Sequence, residues 1–142
     1  MSQPDSTQTK DNSEKPEEQS PQIVIENLMR EIIDKGHYDA VFLFSLEGLP
    51  LAQAFTDIDI DKAGLVKLSL VLKDLQNMIR TIADIEDLRE IVIEGFNRRK
   101  VVFRFLEILG QPSILAIIVA PRKSYKGMTN QLTRTINKAM SE

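Results

Sequence analysis

The residue types that carry catalysis are sparse in this chain and poorly spaced for it. His37 is the single histidine and there is no cysteine. Thiol nucleophiles, disulfides and zinc–thiolate sites are therefore excluded, and a histidine-based triad or metal site lacks material. Ser45 has no patterned base near it, and His37, beside Gly36, reads as a helix-end capping residue. Asp57, Asp59 and Asp61 alternate as calcium ligands do. An EF-hand loop, however, needs glycine at its sixth position and glutamate at its twelfth, where this chain has Lys62 and Leu68. Aspartates there suit the first turn of a helix instead, where carboxylates accept from unpaired N–H groups. The six glycines never form a GxGxxG or GxxxxGK[ST] cradle for phosphate. Arg98-Arg99-Lys100 and Arg122-Lys123 with Lys126 read as solvated charge. The expectation is a chain with no cofactor, no metal and no chemistry of its own.

Charge and composition agree. The chain has 142 residues, 42% hydrophobic and 27% charged, enough for one domain with a real core. The net charge is −3, and residues 1–20, with two lysines and five acidic residues, account for all of it. A neutral body is not steered towards nucleic acid or anionic lipid. No apolar run reaches the roughly 18 residues a membrane span needs, and no signal-peptide core is present. A cytoplasmic protein, without nucleic-acid binding or membrane insertion, is expected. Residues 1–21 hold too little apolar surface to offset chain entropy and predict a disordered acidic tail.

The elements follow from periodicity. Ile25, Leu28, Met29, Ile32 and Ile33 predict a helix over 22–35, closed by Gly36. YDAVFLFSL (38–46) and LPLAQAF (49–55) predict a hairpin turning at Glu47-Gly48. Residues 58–83 predict a long helix capped by Asp59 or Asp61. At roughly 100° per residue, Ile60, Leu65, Leu68, Val71, Leu72, Leu75, Met78, Ile79 and Ile82 share an arc about 140° wide, expected to face the core. Ala63, Val66 and Leu70 fall on nearly the opposite side, beside Asn77, and so call for a second partner. Strands over 88–94, 99–109 and 113–120 and a helix over 124–140 complete the chain.

Short turns make the strands antiparallel, and the most apolar runs, 38–46 and 113–120, belong together at the centre. The predicted fold is an α+β, three-layer α/β/α domain over 22–142. Its order is α-β-β-α-β-β-β-α, with a five-stranded antiparallel sheet ordered 2-1-5-4-3. Pro50 blunts one edge of this sheet. The other edge, with Ile91-Val92-Ile93 at its centre, is unblocked. A second copy is expected to pair there about a two-fold axis, with the long helices packing together. The expected interface comprises Ala63, Val66, Leu70 and Asn77 from the helix, and Leu88, Glu90, Ile91, Val92 and Ile93 from the strand.

The hairpin AVFLFSLEGLPLAQAF, the long middle helix, the EIVIEG strand and turn, and the closing SILAIIVAP before a helix appear in that order. In this combination, spanning residues 22–140, the chain resembles the Roadblock/LC7 family. The resemblance implies a dimer, with itself or a Roadblock paralogue, and a non-enzymatic role as regulator or scaffold of a small Ras-like GTPase. It carries over no catalytic residue. An alternative role is a light-chain or scaffold subunit of a larger motor or signalling complex that does not sense nucleotide. A third is a small-molecule sensory domain.

Overall fold

A computed structural model describes residues 19–56 and 59–141. Most of the expected acidic tail, together with Asp57 and Ile58, lies outside the described residues. Pro21, assigned to that tail from composition, is instead the first residue of helix α1 (Pro21–Asp34). Its missing N–H costs nothing there, because first-turn donors have no helical partner. The Ser20 hydroxyl accepts from the Ile23 N–H at 3.3 Å. At the far end Gly36, at φ +85°, lets His37 N–H reach back to the Ile32 carbonyl at 3.2 Å.

The remaining elements are β1 (Ala40–Ser45), β2 (Pro50–Phe55), α2 (Lys62–Ala83), β3 (Glu90–Glu94), β4 (Lys100–Ile108), β5 (Gln111–Val119) and α3 (Lys126–Ala139). They form the expected α+β fold, with one antiparallel sheet ordered β2-β1-β5-β4-β3. The doubly apolar strands β1 and β5 lie centrally, with Val41 opposite Ile117 and Leu43 opposite Leu115. Alternation sends Val41, Leu43, Leu115 and Ile117 into a core with Ile25, Met29, Leu132 and Ile136 of α1 and α3. Phe42, Phe44, Ile114 and Ala116 point the other way, to Leu65 and Leu72 of α2.

One turn differs from the expectation. The β4–β5 connection is the two-residue loop Leu109-Gly110, both at positive φ (52° and 77°), rather than Gly110-Gln111-Pro112. Paired positive φ values match the right-handed twist of the flanking strands, which the leucine disguised. Pro112 thus lies inside β5, opposite Glu107. Its nitrogen points away from β4, and β1 has already ended at Ser45 opposite Ser113, so no ladder bond is lost. His37 caps the end of α1 as expected, through its backbone N–H, and its Nδ1 also lies 3.3 Å from the Ser124 carbonyl, bridging to the start of α3.

Tyr38 fastens β1 to α3 from below. Its hydroxyl is 2.7 Å from Thr129 Oγ1, which itself donates to the Tyr125 carbonyl at 2.6 Å. Thr129 donates to the Tyr125 carbonyl, so Tyr38 is the donor in this contact. Burial pushes the Tyr38 pKa from 10.0 up to about 12. The folded state therefore holds this proton more tightly than the unfolded chain. Its contribution is complete below pH 10 and is lost as pH rises through about 12. Urea midpoints measured across this alkaline range are expected to fall, and to fall less steeply in Tyr38→Phe; equal slopes would refute the assignment. A second expectation concerns Asp84, which ends α2 at φ 56°, ψ 36°. There its Cβ is strained and its carboxylate opposes the helix dipole. Asp84→Gly is expected to stabilise the fold by about 1 kcal/mol, read from denaturant unfolding.

Candidate partner interface

Helix α2 is built to be buried and is not. Asp61 caps it, its Oδ1 accepting from Gly64 N–H at 2.9 Å. Among its described side chains only Leu65, Ser69 and Leu72 are buried, with Val66, Leu75, Gln76 and Ile79 half-buried. The buried line is turned by roughly 80° from the centre of the apolar arc, at 100° per residue. Leu68, Val71, Met78 and Ile82, expected in the core, are 37%, 60%, 58% and 74% exposed. Ser69 takes the central place against the sheet, its hydroxyl satisfied by the Leu65 carbonyl at 2.9 Å. A small, internally satisfied side chain permits the close approach that a leucine would prevent.

The exposed residues are regularly spaced. With Leu75 they recur at 68, 71, 75, 78 and 82, the three-four alternation of a helix–helix seam. Val66 establishes which way the seam faces. It is half-buried, and its Cγ1 lies 3.0 Å from where a Cβ on Gly48 would sit. Gly48, at φ +89°, thus serves both the hairpin turn and the helix that passes over it. Since Val66 faces the β1–β2 hairpin, the seam on the opposite flank faces β3. Leu68 accordingly borders a hollow with Arg99 and Ile118.

Strand β3 forms that edge of the sheet. Ile91 and Ile93 pair with Phe103 and Val101 and point to the α2 side; Ile91 is half-buried and Ile93 44% exposed. Val92, opposite Val102, points to the α1–α3 side, and Leu88 is half-buried in the approach to the strand. Glu90 is occupied within the fold. Its Oε1 accepts from Arg104 Nε at 3.1 Å and Nη2 at 2.6 Å, and its Oε2 from the Tyr125 hydroxyl at 3.2 Å. Burial, and then the Glu90 carboxylate, raise the Tyr125 pKa. Arg104 Nη1 continues to Asn130 Oδ1 at 2.8 Å. The link from α2 into β3 is closed by Arg80, which bonds the Glu86 carbonyl at 2.8 Å and Asp87 at 2.5 Å.

The expected interface therefore divides. Ile91 and Ile93 share a side of the molecule with the seam. Ala63, Leu70 and Asn77 are exposed on another flank of α2, with Val66 turned inward beside them. The seam residues were absent from the expected set, although their spacing was visible. Fully burying a large apolar side chain contributes about 1.5–3 kcal/mol. Four partly exposed ones supply on the order of 6 kcal/mol, against an association cost of about 4–15 kcal/mol. As an association surface the seam alone would be marginal.

Among the described residues, no group of three or more His, Asp or Glu side chains is placed to hold a metal, and no helix is long and apolar enough to cross a membrane. No protein-family model and no curated protein matches the sequence. Solved structures do match. The gliding protein MglB from Thermus thermophilus superposes with a TM-score of 0.67 over 87% of this chain and 93% of its own, at 12% identity. MglB from Myxococcus xanthus gives 0.66 over 85% and 94%, at 16% identity. A Roadblock/LC7 domain from Streptomyces avermitilis gives 0.56 over 80% and 92%, at 15% identity. With strand order, helix placement and near-complete coverage in agreement, the chain has the Roadblock/LC7 fold.

Proposed function

We propose that this chain is a self-associating adaptor that regulates a small Ras-like GTPase by binding it, contributing no catalytic group of its own. The observation that carries the reading is the exposed seam of α2 beside the open edge of β3. Two copies related by a two-fold axis pair their β3 edges into one continuous sheet, and their seams cover each other. The resemblance to Roadblock/LC7 proteins supports both halves of the proposal, and the likeness to MglB, a protein also solved in a tetrameric arrangement, supports self-association. With the seam assigned to the second copy, the flank bearing Ala63, Leu70 and Asn77 remains for the GTPase.

The two surfaces are separable by mutation. Light scattering of the wild type is expected to give about twice the chain mass of 16.1 kDa. Val71→Glu with Met78→Glu is expected to give the monomer mass with an unchanged helical signal, since both side chains are exposed; a variant that stays dimeric refutes this interface. Leu70→Glu is expected to keep the dimer mass. In titrations against Ras-like GTPases of the same genome, loaded with GDP or a GTP analogue, it is expected to weaken binding by roughly tenfold, about 1.4 kcal/mol. If the wild type binds none of them in either nucleotide state, the GTPase reading fails and a nucleotide-blind scaffold subunit replaces it.

A further inference from the structure

A cationic cleft opens between α3 and the β3–β4 ladder, on the α3 side of the sheet. Two adjoining hollows of about 350 and 300 Å³ share Arg89, Arg104 and Asn130; Arg134 borders the first, and Glu90 and Lys126 the second. Arg104 is buried and its charge is balanced by Glu90 at 2.6 Å. Arg89, Lys126 and Arg134 have no ion-pair partner among the described residues. Three unbalanced positive charges thus ring a concave site whose floor is a buried guanidinium. Concave walls of low polarizability concentrate such a field more than an open surface does.

We propose that this cleft holds the chain's own acidic N-terminal segment, residues 5–18. Charge is the first argument. That segment carries five acidic residues and two lysines, a net −3, with Glu14, Glu17 and Glu18 closely spaced. It equals the unbalanced charge of the cleft, while the remaining body is neutral. Reach is the second. The His37–Ser124 contact joins the end of α1 to the start of α3, so the two helices run antiparallel. The start of α1 therefore lies towards the Arg134 end of α3. An extended chain gains at most about 3.3–3.6 Å per residue, so fourteen residues reach well beyond the roughly 10 Å width of α3 that separates α1 from the cleft. Tethering is the third. A short covalent link gives an effective concentration in the millimolar range, so weak carboxylate–guanidinium contacts suffice to populate the docked state.

The test uses the full-length chain and a glutamyl-specific protease, following release of the segment by cleavage after Glu14, Glu17 and Glu18. At low salt the wild type is expected to be cut roughly fivefold more slowly than Lys126→Glu with Arg134→Glu. The difference should vanish near 1 M salt, where the Debye length is about 3 Å. A charge-matched control, Lys123→Glu with Lys138→Glu, is expected to be cut like the wild type. Should the cleft reversal lower the melting temperature, Lys126→Gln with Arg134→Gln carries the same comparison. Equal cleavage of wild type and cleft variant at low salt overturns the proposal. So does stabilisation by inorganic phosphate that depends on Lys126 and Arg134 without any slowing of cleavage, which would assign the cleft to a small anion instead.

Discussion

A sheet of five strands about 4.8 Å apart presents a face roughly 20 Å wide, and one helix covers only about 10 Å of it. Most of this molecule follows from that mismatch. On one face α1 and α3 lie side by side and bury Val41, Leu43, Leu115 and Ile117 completely. On the other, α2 lies alone. It seals Phe42, Phe44, Phe103 and Ile114 at the centre but leaves Ile93 and Phe55, towards the two edges, nearly half exposed. A second copy supplying another helix to this face is the simplest remedy available to an antiparallel sheet with an open edge.

The open edge has to be held in place without a neighbour. Strand β3 has five residues, three of them exposed, and would fray if only its ladder to β4 secured it. The buried Arg104 pair provides the second attachment, joining β3 to β4 through Glu90 and to α3 through Asn130 and Tyr125. Buried ion pairs contribute little net stability, but removing one partner costs about 3–5 kcal/mol because the other charge is stranded. The network therefore penalises any other position of β3 more than it strengthens this one. That suits the proposed pairing, which needs the outward edge of β3 in a fixed register.

The order of elements and the sheet topology were legible because they rest on signals internal to each segment: period-two strands, glycine turns, and two runs apolar on both faces that had to be central. The helix face was not legible to the same degree. An arc 140° wide exceeds what a flat sheet can contact, and hydropathy does not say which half is left over. Ser69 decided it, and a serine carries no hydrophobic signal. Glu90 was misleading for a related reason. A carboxylate on an edge strand was expected at the interface, and nothing in the sequence marks Arg104, fourteen residues away, as its partner. The Leu109-Gly110 turn was hidden because leucine rarely adopts positive φ.

Helix α2 thus has three obligations distributed around its circumference, and their spacing accounts for its length. The buried line runs through Leu65, Ser69 and Leu72; the seam runs from Leu68 to Ile82; Leu70 belongs to neither. A seven-residue repeat drifts by about 20° per heptad on a straight helix. Over the two heptads from 68 to 82 the drift is about 40°, small enough for two straight helices to stay in contact without supercoiling. A longer seam would require coiling, which would lift α2 from the sheet and expose Phe42 and Phe103 beneath it. In the proposed pairing, a shorter one would bury too little to offset the cost of association. The 22 residues of α2 are close to the length at which one helix can both lie flat on its own sheet and meet its copy in the proposed pairing.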